Sequence, residues 1–382
     1  MPKVPKVILL IETSRAYGRA LLRGITKYSR LHGPWVFYSE PGGLEKALPY
    51  LKNWNPDGII MRDSGKGDAV VKMNVPVIVS VHLKEHISGT PYIDTNGVEI
   101  GRMAAEHFFD HGFKRFAFCG FDELHWSRGR GENFSKTVRK AGFETYFYKR
   151  PRTKSQRLWE NEQIIMVDWL KSLPKPVGLM ACNDDRGRQL TEACKIAGLH
   201  VPEEVAIIGV DNDELVCELS DPPLSSVALN VERGGYEAAE LLYKLMKGKK
   251  VANQDVIIQP IHVVTRRSTD ILAIEDLAVV KAMRFIRRHA KEPIQVDQVV
   301  DAVDLSRRGL EQRFRRVLNR SVHDEIRRVR IEQVVRMLLE TNMSVSQIAF
   351  ALGYPGVNNI SRYFRREKGM SPLAYRRKYG HK

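Results

Sequence analysis

The chain is poor in the residues that metal, redox and membrane functions need. Cysteine is scarce, with four in 382 residues at Cys119, Cys182, Cys194 and Cys217. None forms a Cys-x-x-Cys pair, which argues against a zinc or redox centre and against a disulfide framework. Three of them lie in or beside apolar, strand-like runs, where a reduced thiol packs as a small hydrophobe. No apolar run approaches the roughly 20 residues of a membrane span, and Val7 to Ile11 is shorter than the about 7 to 15 of a signal-peptide core. A cytoplasmic protein without a membrane partner is therefore expected. No glycine-rich dinucleotide fingerprint follows a strand, and Ser64-Gly65-Lys66-Gly67 lacks the spacing of a phosphate loop, so it reads as a surface turn. Nucleophile elbows and metal-ligand clusters are missing as well. No catalytic residue, metal or cofactor is expected.

What the chain has in excess is positive charge, and the charge is uneven. Of a net +16, a surplus of 11 falls between Glu275 and Lys382, where 23 Lys and Arg face 12 Asp and Glu. Phosphate neutralisation calls for such a concentration, which makes double-stranded DNA the expected partner.

Within that region a helix-turn-helix pattern occurs twice. Val296 to Val303 runs through Asp304-Leu305-Ser306 into a basic helix, Arg307 to Val317. Ser306 is placed to cap it, and Leu310, Phe314 and Val317 recur at i, i+4 and i+7 as a buried stripe. Arg307, Arg308, Glu311, Gln312 and Arg315 then point away from that stripe. Their side chains match base donors and acceptors or phosphate, as a major-groove reader requires. In the second copy Ser344 caps Val345 to Leu352, a turn follows at Gly353-Tyr354-Pro355-Gly356, and a helix continues from Val357 to about Lys368. Ile360 and Phe364 repeat the stripe, leaving Asn358, Asn359 and Arg362 for base or phosphate contact. Between the copies, Ile331, Val334, Val335, Leu338 and Leu339 share one face of Asp324 to Thr341. That pattern predicts a connecting helix packed against both units, holding two recognition helices about 34 Å apart on one face of a duplex. The blander reading, basic amphipathic helices with solvated outer faces, fits a single copy better than two in register.

Arg330, Leu338-Leu339, Ile348-Ala349, Gly353-Tyr354, Phe364-Arg365-Arg366, Gly369, Ser371-Pro372 and Tyr375-Arg376 fall at the pattern positions of the AraC/XylS family of transcription regulators, whose DNA-binding domain the last quarter of the chain resembles. Two positions depart from that pattern: Val334, where a small residue is commoner, and Ile360, where an aromatic is. By this resemblance Arg308, Glu311, Gln312, Asn358, Asn359 and Arg362 stand where base contacts are often made.

Ahead of this region, strand-like runs at Val7 to Ile11, Gly58 to Met61, Pro76 to Val81, Arg115 to Gly120, Val177 to Ala181 and Val205 to Val210 alternate with helical stretches. The clearest helices are Arg19 to Ser29, Gly97 to His111, Asn161 to Ser172, Arg186 to Ala197 and Glu232 to Met246. The alternation predicts an α/β unit of parallel sheets covered on both faces. Open sheets of this kind bind ligands at the carboxyl ends of their strands, and here those ends are polar. They carry Glu12-Thr13-Ser14-Arg15, Arg62-Asp63, His82, Asp94, Asn183-Asp184 and Asp211-Asn212. Asp184 or Asp185 could equally cap a helix, His82 could be a satisfied surface histidine, and Trp126 could be a core residue. Together, Ser14, Arg15, Asp63, His82, Asp94, Asn183, Asp184, Asp211 and Asn212 suit a polyhydroxylated ligand whose hydroxyls must all be paired. Trp126 would add a ring face for the sugar.

These strand ends resemble the periplasmic-binding-protein-like (type I) ligand domain of the LacI/GalR regulators, two α/β lobes closing over a small effector. Asn183-Asp184 and Gly209-Val210-Asp211-Asn212 match its motifs. Arg130, by its place before Phe134, matches its sugar-contacting arginine, with Arg128 as the rival assignment. The resemblance implies domains at 1–270, a two-lobed sugar sensor, and 271–382, an all-α DNA-binding domain with helix-turn-helix units at about 296–317 and 344–368. A LacI-type N-terminal headpiece is not expected, since residues 1 to 6 lead directly into the first strand. Arg266-Arg267-Ser268-Thr269-Asp270 at the junction, Val296-Asp297-Gln298-Val299, and Ser306-Arg307 followed by Leu310-Glu311 extend the match to the family of xylose-operon activators over the whole length. That resemblance implies a homodimeric regulator with D-xylose as effector, operator DNA as target and RNA polymerase as further partner. Another monosaccharide or a purine-like effector, and a sugar-acting enzyme with a DNA-targeting tail, are the alternatives.

Overall fold

The computed structural model describes residues 4–40, 51, 54–63, 70, 74–81, 89–151, 153, 155, 157–249 and 255–380. Two compact units are present: Met1–His107 with Lys114–Ile271, and Phe108–Phe113 with Leu272–Lys382.

In the first unit, apolar runs such as Gly58–Arg62 and Val177–Ala181 are buried nearly throughout, as strands covered on both faces must be. The strands are β1 (Lys6–Leu10), β2 (Val36–Ser39), β3 (Gly58–Arg62), β4 (Val77–Ser80), β5 (Tyr92–Thr95), β6 (Phe116–Cys119), β7 (Thr145–Phe147), β8 (Val177–Ala181), β9 (Val205–Asp211), β10 (Ser225–Leu229), β11 (Val256–Ile258) and β12 (Pro260–Val264). They build two six-stranded sheets, ordered β11-β5-β4-β3-β1-β2 and β12-β10-β9-β8-β6-β7. Among the described residues every pairing is parallel except β10 with β12. This is the two-lobed α/β fold expected. The six runs singled out in the sequence became β1, β3, β4, β6, β8 and β9. The remaining strands are short or mixed in polarity: β2 and β7 are partly exposed, β5 ends in Asp94-Thr95 and β10 opens with two serines.

The helices of this unit are α1 (Ala16–His32), α2 (Gly97–Asp110), α3 (His125–Lys140), α4 (Trp159–Ser172), α5 (Asp184–Ala197), α6 (Glu214–Leu219) and α7 (Val231–Met246). The last turn of α2 belongs to the second unit. Helices α1 and α7 touch backbone to backbone. A Cβ on Gly24 would stand 1.8 Å from the Glu232 carbonyl oxygen, and one on Gly235 would stand 2.1 Å from that of Leu21. Only glycine permits that approach.

The second unit holds α8 (Leu277–Arg288), α9 (Val296–Asp301), α10 (Arg307–Leu318), α11 (Val322–Glu340), α12 (Val345–Ala351), α13 (Val357–Lys368) and α14 (Pro372–Tyr379). Ser306 Oγ accepts from Gly309 N at 3.2 Å and starts α10. Ser344 Oγ accepts from Gln347 N at 3.2 Å while Gln347 Oε1 accepts from Ser344 N at 2.7 Å, a reciprocal capping box on α12. Gly353, with φ +63°, ends α12 in the left-handed region. Two separate cores form. Leu310 and Phe314 join Val279, Met283 and Val299 in one, and Ile360 and Phe364 join Ile348, Leu352 and Tyr375 in the other. Helix α11 gives Val322, Ile326 and Val329 to the first core and Ile331, Val334, Val335 and Leu338 to the second. It is buried on several faces because it serves both.

Candidate ligand crevice and nucleic-acid interface

The carboxyl ends of β1, β3, β4, β5, β8 and β9 surround a cavity of about 240 Å³ in the first unit. Of the residues proposed from sequence, Arg15, Asp94, Trp126, Arg130, Asn183, Asp184 and Asp211 line it. Ser14 is exposed and its hydroxyl bonds to Glu12. Asp63 is buried but is not among the lining residues, and neither is Asn212. His82 and Ser64-Gly65-Lys66-Gly67 lie outside the described residues.

Arg130 is the centre of the site. It comes from the second turn of α3, is 3% exposed, and donates from Nη1 to the Cys182 carbonyl at 2.6 Å and from Nη2 to Asp211 Oδ1 at 3.3 Å. Its guanidinium carbon lies 4.9 Å from the centroid of the Trp126 ring. Among the described residues, its buried Nε has no hydrogen-bond partner. Buried donors are normally paired, so this one is available to a ligand oxygen. Arg128, the rival assignment, is exposed, donates to the Asp122 carbonyl at 3.1 Å and is not among the lining residues.

The polar groups at the ends of β8 and β9 divide into two kinds. Asn183 Oδ1 caps α5 by accepting from Arg186 N at 3.0 Å. Asp184, 2% exposed, accepts from Ser226 Oγ at 2.6 Å and from Asp213 N at 2.7 Å, so it braces the turn after β9. Burial pushes its carboxyl well above the ordinary range, and the two donors pull it back. Asp211 faces the cavity with its carboxyl raised by burial and lowered by Arg130. Its φ is 102° and that of Asn212 is 52°. Two successive non-glycine residues in the left-handed half of the map cost of order 1–3 kcal/mol each, and such strain concentrates at functional sites.

Tyr17 was missed in the sequence. Helix α1 begins at Ala16 rather than near Arg19, which sets Tyr17 in its first turn against the cavity. Burial pushes its hydroxyl up to about 12, with Ser80 as its hydrogen-bonding neighbour. An aromatic just past the end of β1 was the available signal. Glu12, Arg62, Thr95, Asp185 and Asp213 also line the cavity. Arg62 pairs with Glu12, and Arg15 with Asp185 at 2.6 Å. Acceptors, donors and ring faces thus alternate around a small concave space, which suits a compact polyol.

In the second unit, Arg307, Arg308, Gln312 and Arg315 are exposed on α10, and Asn358 and Arg362 on α13, with Asn359 half-buried. Arg307 pairs with Asp297 at 3.0 Å. Glu311 is half-buried and accepts from Val322 N at 3.4 Å, so its carboxylate is turned toward the start of α11. Arg313 and Arg316 both reach Asp276, at 3.1 Å each, which itself caps α8. Arg330 donates to the Leu352 carbonyl and stacks over Tyr354 with 4.3 Å from its guanidinium carbon to the ring centroid, locking α12 to α11. Among the described residues no helix is long and apolar enough to cross a membrane, and no group of three His, Cys, Asp or Glu could hold a metal.

A two-lobed α/β ligand-binding unit joined to paired helix-turn-helix units defines a one-component, DNA-binding transcription regulator. The periplasmic binding protein-like domain family matches residues 105–269, and the helix-turn-helix domain family matches residues 299–378. The chain is 32% identical to the xylose operon regulatory protein of Escherichia coli strain K12, over 97% of this chain and 96% of that one. Against the Haemophilus influenzae protein of the same name it is 33% identical, over 97% and 98%. The solved structure of the xylose-binding transcription activator xylR superposes with a TM-score of 0.62 at 30% identity, covering all of both chains. A LacI-type regulator from Alkaliphilus metalliredigens, solved with D-xylulofuranose, shares the fold of the first unit at 22% identity and TM-score 0.56, over 69% of this chain and 98% of that one. The chain belongs to the family of xylose operon regulatory proteins. Its relatives there are transcription regulators, not enzymes.

Proposed function

We propose that the cavity is the effector site, that D-xylose is its ligand, and that occupancy changes the affinity of the second unit for operator DNA in the cytoplasm. The observation that carries this reading is Arg130: buried, paired with Asp211, stacked by Trp126, and holding an unpartnered Nε among the described residues. Sugar hydroxyls can accept from that guanidinium and donate to Asp211 and Asp94, while Tyr17 and Trp126 offer ring faces. The relatives named for xylose add weight to D-xylose over another monosaccharide. The several carboxylates disfavour an anionic or flat heteroaromatic ligand such as a purine.

Helices α10 and α13 are the proposed readers. Arg308, Gln312, Asn358 and Arg362 are the proposed base contacts, with Arg307, Arg315 and Asn359 at or beside phosphate. Glu311 is the weakest of the group, because its carboxylate is already engaged within the unit. We further propose that two copies read paired half-sites as a homodimer, and that RNA polymerase is the partner of the bound activator. The test is the melting temperature of the full chain against a panel of monosaccharides, since selective binding to the native state raises apparent stability. A rise with D-xylose is expected. Equal, absent shifts for every sugar would remove the sugar from this reading.

A further inference from the structure

Behind Asp211 lies a run of buried and half-buried polar groups that neither DNA reading nor ligand contact uses. Arg266 Nη2 donates to Asn212 Oδ1 at 2.9 Å, and its Nη1 donates to the Leu224 carbonyl at 3.0 Å. Its backbone N–H donates to Ser225 Oγ at 2.8 Å. Ser225 Oγ lies 2.7 Å from Thr269 Oγ1, which lies 2.8 Å from His107 Nε2. Ser225 and Thr269 are fully buried and His107 is 8% exposed. Hydroxyls donate and accept at once, so the hydrogen bonds run on from Ser225 through Thr269 to His107 on α2, and Arg266 ties them to the strained Asp211-Asn212 turn through its own side chain.

Its end-point is informative. His107 is the last residue of the first unit before the chain passes into Phe108–Phe113, and Thr269 stands three residues before it passes over for good at Leu272. The hydrogen bond between His107 and Thr269 therefore clasps two of the places where the chain leaves the first unit. One turn beyond His107 on the same helix, Asp110 is fixed within the second unit. It accepts from Arg320 and from Arg328 at 2.7 Å each, and both arginines also pair with the fully buried Glu325 of α11. Helix α11 is the one that serves both helix-turn-helix cores.

We propose that Arg266, Ser225, Thr269 and His107 are a polar relay that reports the state of the Asp211-Asn212 turn to the chain crossings, and so couples effector to operator. This rests on the effector reading above. A ligand that engages Asp211 favours one arrangement of a strained turn over others, and only such differential contact shifts an equilibrium. Arg266 holds the same turn through Asn212, so the preference is felt at Ser225, Thr269 and His107 rather than ending at the cavity wall. None of these four touches the proposed ligand or DNA.

The test uses the full-length protein with D-xylose and operator DNA. In the wild type, D-xylose should change operator affinity by about 5- to 150-fold, and operator should change D-xylose affinity by the same factor. Thr269→Val keeps the shape and removes the hydroxyl. It should bring both factors to within about twofold of one, while D-xylose affinity without DNA and operator affinity without sugar stay within about threefold of wild type. Thr269→Ser, which restores the hydroxyl, should restore the coupling. A Val variant with undiminished coupling overturns the relay. If that variant fails to melt cooperatively, His107→Leu is read the same way, with His107→Gln, whose side-chain amide can still hydrogen-bond to Thr269, as the control. A wild type whose D-xylose binding is sound but whose operator affinity ignores it overturns the relay and the proposed coupling, while leaving D-xylose as the ligand of the cavity. A wild type that does not bind D-xylose overturns the effector reading, and the relay with it.

Discussion

Replacing Arg130 with Met is the sharpest probe of the crevice. The substitution keeps the length of the stem within α3 but removes the donors to Cys182, Asp211 and the cavity. Hydrogen bonds involving a charged group contribute about 1.5–3 kcal/mol each. Loss of one such bond to the sugar should raise the dissociation constant about 10- to 150-fold, since 1.4 kcal/mol is a factor of ten. A second effect acts on Asp211. Burial already raises its carboxyl, and Arg130 is the first group pulling it down. Without the guanidinium its folded-state value rises further. A carboxyl raised in the folded state holds its proton at pH values where the unfolded chain has lost it. The protonated form therefore stabilises the fold at low pH, and that contribution is lost as pH rises through the folded value. Because the ligand reading uses Asp211 as an acceptor, D-xylose affinity should fall as pH drops through the same value. In the Met variant that fall should begin at higher pH. Isothermal titration calorimetry, run from neutral pH downward, measures both effects. Affinity within twofold of wild type, with an unmoved pH profile, would refute the role given to Arg130.

Three further outcomes are expected. Arg308→Ala on α10 should weaken specific operator binding more than binding to unrelated DNA in a gel-shift titration; equal losses, with a salt slope reduced by about one, would make Arg308 a phosphate contact instead. Phe364→Ala removes a fully buried ring that meets Tyr375 edge-on at 5.2 Å. It should cost the second helix-turn-helix core about 3–5 kcal/mol, abolishing operator binding while the D-xylose melting shift of the first unit survives. Gly24→Ala drives a methyl into the Glu232 carbonyl and should destabilise the first unit by about 1–3 kcal/mol or more, seen as a lower midpoint in urea. An unchanged midpoint would mean that α1 and α7 separate freely.

Much of the architecture could be read before any coordinates. Ser306 and Ser344 announce helix starts because a short hydroxyl satisfies an amide a few residues away, a bond that local sequence fully specifies. Leu310 with Phe314, and Ile360 with Phe364, are buried because helical spacing puts them on one face. Runs such as Val177–Ala181 read as covered strands for the same local reason. The polar strand ends were legible as a group, since parallel α/β sheets bring carboxyl ends to one edge.

The individual roles at that edge were not. Asn183 and Asp184 are adjacent, yet one caps its own helix and the other braces a turn 29 residues on. Arg128 and Arg130 sit on one helix, and only the packing of α3 decides which is buried against Asp211 and which is left outside. Ser225, Arg266 and Thr269 read as ordinary strand and junction residues, and His107 as one more helical histidine. Their contact spans up to 162 residues of chain and exists only because β10, the junction and α2 converge. Sequence periodicity determined which residues are helical, which are extended and which are buried, because those depend on neighbours a few positions away. Sheet order and helix packing decided which polar groups meet, because a hydrogen bond depends on distances of about 3 Å that no local pattern encodes.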